Sequence, residues 1–144
     1  MAAATKPRNT PRLQIKQPGR IRNRPVAAGV ICYEGALAAI TTTGFAVPAT
    51  ADATLIVVGV FKQTVDNRTG GNGDADVDIT NDSAFGFASG TGSDEITGLN
   101  VDDDVYALDD QTVGLTDDGG ARPVAGKVYE VRLEPAAVVY VDIP

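Results

Sequence analysis

From Val26 onward, apolar residues come in short runs broken by Gly, Asp and Asn clusters. The runs are rich in Val, Ile, Thr, Tyr and Phe, which suit a pleated, half-buried surface. This pattern predicts strands at residues 29–33, 36–40, 45–47, 55–64, 76–80, 84–88, 104–108, 112–116, 124–133 and 138–143. The intervening "TTTG", "DNRTGGNGD", "ASGTGSD", "DDQ", "TDDGG" and "EPAA" read as turns or loops. "TDDGG" is the strongest turn signal, because Gly119 and Gly120 take positive φ readily. In residues 128–133 the alternation puts Tyr129, Val131 and Leu133 on one face, with Glu130 and Arg132 on the other. Asp74, Asp76 and Asp78 alternate in the same way with Ala75, Val77 and Ile79, which predicts acids toward water and apolar residues toward a core. Only "SDEITGLN" could open a short helix, with Ser93 as its cap. The expected fold is all-β, a sandwich or small barrel.

Residues 1–25 have a different texture. Pro7, Pro11, Pro18 and Pro25 remove backbone donors and disfavour helix, so an extended arm is expected ahead of a single body domain at 26–144. Residues 13–16 alternate apolar and polar as a short strand would, yet alone they cannot bury enough to order themselves. The arm is also purely basic. It carries Lys6, Arg8, Arg12, Lys16, Arg20, Arg22 and Arg24, and no acid precedes Glu34. The body carries five positive and nineteen negative side chains, within a whole-chain net charge of −7. Such asymmetry marks an interaction tail on a separate body.

Little in the sequence looks like catalytic chemistry. With 144 residues and 43% hydrophobic content, the chain has the size and composition of one globular domain. No apolar run reaches the roughly 18 residues that span a membrane, and the basic N-terminus lacks the apolar stretch of a secretory signal. There is no histidine, which removes the commonest general base and zinc ligand. Cys32 sits inside the apolar "GVICYEG" and reads as a buried structural thiol, and a lone thiol suits a reducing compartment. "DADVDI" starts like a calcium loop, but Ile79 and Phe85 stand where the EF-hand pattern needs Gly and Glu. Asp102, Asp103 and Asp104 read as a solvated loop rather than an ion site. "TGGNGD" lacks the Gly-Lys-Ser/Thr ending of a phosphate loop. No enzyme activity, cofactor or metal is expected.

The arm admits three readings. As a nucleic-acid binder it would neutralise phosphates, but it has no aromatic residue to stack on bases, and the acidic body would repel a polyanion. As a protein-docking arm, "RLQIK" would add a strand to a partner's sheet while its cations meet an acidic surface. As a solvated tail it would do neither. Docking is the preferred reading. Its candidate residues are Arg8, Arg12, Leu13, Ile15, Lys16, Arg20, Arg22 and Arg24.

"GALAAITTTGFAVPATA", "VVGVFKQTVDN", "VYALDDQTVGLTDDGGARPVAGKVYEV" and the closing "VVYVDI" resemble, in this order over residues 26–143, the head decoration (capsid cement) proteins of tailed bacteriophages and prophages. The specificity of the match lies in the order of the pieces, each of which is a simple β pattern. The resemblance implies a small β-sandwich or β-tulip-like barrel, a homotrimer on the outer surface of the virion capsid. It also implies the major capsid protein as partner, synthesis in a bacterial cytoplasm, and no catalytic residues. Many members of that family begin close to the first body strand, so the basic arm departs from the pattern. The alternative is another phage virion β-module from a tail, baseplate or adhesion structure.

Overall fold

The computed structural model describes residues 3–15, 21–134 and 136–144. Its strands are β1 (Arg12–Gln14), β2 (Ile21–Pro25), β3 (Ile31–Cys32), β4 (Leu37–Ile40), β5 (Ala46–Pro48), β6 (Ile56–Phe61) and β7 (Val65–Asp66). They continue with β8 (Asp76–Thr80), β9 (Ser83–Ser89), β10 (Asp104–Ala107), β11 (Thr112–Gly114), β12 (Val124–Arg132) and β13 (Val138–Asp142). The all-β expectation holds, and each expected strand contains or overlaps an observed one. The segment expected to open a helix makes two 3₁₀ turns instead, Gly92–Asp94 and Gly98–Asn100. Ser93 lies inside the first turn and does not cap it. Glu95 is already extended, at φ −65° and ψ 128°, which stops the turn from growing. Thr97 caps the second turn, accepting from Leu99 N–H while Asn100 Oδ1 accepts from Thr97 N–H.

Strand pairing closes one sheet on itself. β9 pairs antiparallel with β13 and parallel with β11, and β11–β10, β10–β12 and β12–β13 complete a five-stranded ring. Curvature comes from bulges. One sits at Tyr129, between the Val128↔Val141 and Glu130↔Tyr140 pairs. It shifts the expected alternation: Val128 and Val131 turn inward, Tyr129 is left 47% exposed, and Leu133 beyond the strand is 70% exposed. Gly126 lies beside a second bulge, where a Cβ would run into the Asp142 carbonyl.

The other large sheet runs β2-β8-β6-β4-β5, and a bridge from Val26 to Ala46 brings its last strand back to its first. Leu37, Ala39, Val57 and Val60 pack against Phe85, Phe87, Val105, Val113 and Val128 of the ring. Ala36, Ala38, Ile40, Val58, Phe61, Val77 and Ile79 enclose a second core that includes Cys32. β4 is therefore buried on both faces, which explains the small residues of "GALAAI": alanines let two cores approach one strand. Val77 and Ile79 are buried and Asp76 is exposed, as the alternation predicted.

One partly buried ion pair ties the turn region to the ring. Asp94 Oδ1 accepts from Thr116 Oγ1 (2.7 Å), Thr116 N (3.1 Å) and Arg122 Nη1 (3.0 Å). The Thr116 hydroxyl, aided by Thr116 N–H and Arg122, holds the Asp94 carboxyl below its ordinary value. A carboxylate lowered in the folded state stabilises above its unfolded pKa and loses that contribution as pH falls through the folded value. Asp94→Ala should cost about 1–3 kcal/mol at neutral pH. In thermal melts, the wild type should lose more stability than the variant on acidification below about pH 4.

Candidate partner-docking site

The basic N-terminal segment lies on its own body. Ala4 N–H donates to Asp110 Oδ1 (2.7 Å), Arg8 N–H to the Glu34 carbonyl (2.8 Å), and Gly86 N–H to the Pro11 carbonyl (2.7 Å). β1 then adds to β9 in antiparallel register: Arg12 opposite Phe85, Leu13 opposite Ala84, Gln14 opposite Ser83. This is strand addition, the mode expected for a partner's sheet, carried out within one chain.

Two arginines secure the segment. Arg8 Nη1 donates to the carbonyls of Gly35 and Gly86, each at 3.3 Å, and its guanidinium stands 5.2 Å from the Phe87 ring centroid. Arg12 stands 5.1 Å from the Phe85 centroid and 3.7 Å from Asp82 Oδ1. Stacking a guanidinium on an aromatic face adds an electrostatic attraction to burial of the stem. The Thr10 hydroxyl donates to the Gly35 carbonyl. The track itself is bare. A Cβ on Gly35 would strike the Arg8 carbonyl and the Thr10 hydroxyl, and one on Gly86 would strike Pro11 Cγ and Val138 Cγ1.

Burial sets the electrostatics here. It raises the Asp110 carboxyl above its ordinary value, with Asp109 adding to the rise, while Ala4 N–H and Arg8 oppose it. It lowers the Arg8 guanidinium, against the pull of Asp110 and Asp109. The Cys32 thiol is pushed up to about 12 by burial and by the charge on Asp110, so it stays protonated at neutral pH.

The predicted arm residues divide between the two sheets. Arg8, Arg12, Leu13 and Ile15 belong to the segment on the ring, with Leu13 and Ile15 half-buried. Arg22 and Arg24 belong to β2, opposite Ile79 and Val77 on the second sheet. Lys16 and Arg20 lie outside the described residues. The division expected at residue 25 is therefore not a structural gap: β2 runs to Pro25 as a strand of the body sheet, because pairing with β8 satisfies its backbone. Among the described residues, Arg22 and Arg24 have no carboxylate partner, and Asn23 Nδ2 donates to Asp78 Oδ1 (2.9 Å).

The receiving residues, Gly35, Asp82, Phe85, Gly86, Phe87 and Asp110, escaped sequence reasoning. Their only local signal was a β pattern and a "DDQ" turn. The other acidic runs do not build a site. Asp104 pairs with Lys127 at 2.8 Å on the surface, and Asp103 accepts from Asn100 Nδ2 at 3.1 Å. Among the described residues, no three His, Cys, Asp or Glu side chains could together hold a metal ion.

Comparison with known protein families, characterised proteins and solved structures finds no match to this chain.

Two outcomes follow from the seat. Arg8→Ala removes the carbonyl bonds and the stacking, so the amides of residues 4–14 and Gly86 should exchange with deuterium markedly faster. Its cost should be about 1–3 kcal/mol in denaturant titration. Asp110→Asn keeps an acceptor for Ala4 N–H but removes the buried charge. A carboxyl raised in the folded state favours folding below its unfolded pKa and loses that advantage as pH rises through the folded value. The wild type should therefore lose stability relative to Asp110→Asn as pH rises above about 4, in melts followed by circular dichroism.

Proposed function

We propose that this chain is a non-enzymatic decoration (cement) protein of a tailed-phage head, which assembles as a trimer on the outer shell and stabilises the coat lattice. The ordered motifs over residues 26–143 support this reading, and an all-β body accords with it. The observation that carries the docking role is the basic strand β2. Its own body holds an excess of carboxylates, yet among the described residues Arg22 and Arg24 take none of them as ion-pair partner. Unpaired cations on a strand paired on one side suit an acidic coat surface: main-chain pairing supplies affinity, and charge supplies orientation. A lattice of coat subunits would add avidity, since each oligomer would engage several sites.

The test uses heads of the encoding phage assembled without this chain. Purified protein should co-sediment with them and appear by cryo-electron microscopy on the outer shell, as a trimer by native mass spectrometry. The double variant Arg22→Ala, Arg24→Ala should bind about tenfold more weakly with an unchanged melting temperature, at roughly 1 kcal/mol or less per lost charge pair. Wild-type protein that leaves heads bare and labels tails instead would move the chain to the tail or baseplate class.

A further inference from the structure

Beside the N-terminal segment, β3 and β5 border an open groove of about 540 Å³. Val30, Ile31, Val47, Pro48, Leu55 and the Tyr33 ring supply its apolar walls, and Ala3 and Ala4 line it from the segment. Among the described residues, its charged lining groups are two carboxylates, Asp52 and Asp110, with no Lys or Arg.

Asp110 is 1% exposed. Among the described residues, its carboxylate takes one hydrogen bond from another residue, from Ala4 N–H to Oδ1. Arg8 is directed to the Gly35 and Gly86 carbonyls and forms no ion pair with it. The backbone N–H of Asp110 itself supplies a second hydrogen bond, but a buried carboxylate without an ion-pair partner is costly unless a cation reaches it. Asp52 stays anionic on the exposed side, since the Thr54 hydroxyl and amide hold its carboxyl below the ordinary value.

We propose that this groove is a binding site for an ammonium group on an aliphatic stem, presented as a lysine side chain by a partner protein. The methylenes would lie along Val30, Ile31 and Leu55, and the ammonium would meet the Asp110 carboxylate. Lysine fits better than arginine. A guanidinium fork needs both carboxylate oxygens presented to it, which a carboxyl only 1% exposed does not offer, whereas a point-charge ammonium needs one. The site does not depend on the capsid reading: small probes test the groove alone, and head binding tests the reading.

The full-length ¹⁵N-labelled protein would be titrated with N-acetyl-lysine-N-methylamide, with n-pentylammonium, and with the neutral N-acetyl-norleucine-N-methylamide. Both ammonium probes should give saturable amide shifts at Ile31, Tyr33, Thr50 and Asp110, at least tenfold tighter than the neutral probe. Asp110→Asn should weaken the lysine probe about tenfold. Asp52→Asn, a change on an exposed loop, should weaken it less and serves as the reading if Asp110→Asn misfolds. Equal binding of the neutral probe, or ammonium binding untouched by both variants, overturns the site. Binding of pentylammonium without the lysine derivative overturns the partner side chain in favour of a free amine. Absence of saturable shifts overturns both.

Discussion

Strand β9 is hydrogen-bonded along both edges, and the rest of the ring is arranged around that. One edge takes β13 from Ala84 to Phe87. The other is shared, with β1 covering Ser83–Phe85 and β11 covering Ala88–Ser89. Because β11 reaches only the end of β9, the ring closes with a short length of open edge. An unpaired edge of this kind invites pairing with another chain. Here the chain's own N-terminal strand fills it, and the fold needs no covering helix.

Filling that edge explains features that look unrelated in one dimension. Gly35 and Gly86 are bare where the segment crosses. Phe85 and Phe87 belong to the ring core and also carry the guanidinium groups of Arg12 and Arg8. Asp110, on the turn between β10 and β11, is buried and takes the amide of Ala4. The basic segment thus has acidic and aromatic partners within its own chain. The cations of β2 are treated differently: the backbone of that strand is paired, but among the described residues Arg22 and Arg24 form no ion pair. The two halves of one basic stretch thus differ: the first is bound to its own ring by carbonyls, aromatic rings and a carboxylate, and the second is held by backbone pairing.

Most strands were legible because their signal is local, whereas β2 and β7 were not among those expected. Alternation across residues 76–80 predicts which side of β8 is buried without knowledge of its partners, and the short runs bounded by Gly and Asp mark most strand ends to within a few residues. Two local predictions went astray, for different reasons. The bulge at Tyr129 inserts a residue that alternation cannot anticipate. The Ser93 segment had a capping signal but only enough helical continuity for isolated 3₁₀ turns.

The sequence by itself determined the all-β class, the outward acids of β8, the burial of Cys32 and the segregation of charge, because each depends on residue type and short-range period. Only the tertiary structure decided that β9 would host three partners, that β4 would lie between two cores, and that residues 4–14 would lie on the ring. Strand pairing joins residues far apart in the chain, as Ala4 and Asp110 show, and many registers satisfy the same alternation. What selects one is the fit of the whole, down to two glycines with no side chain in the way.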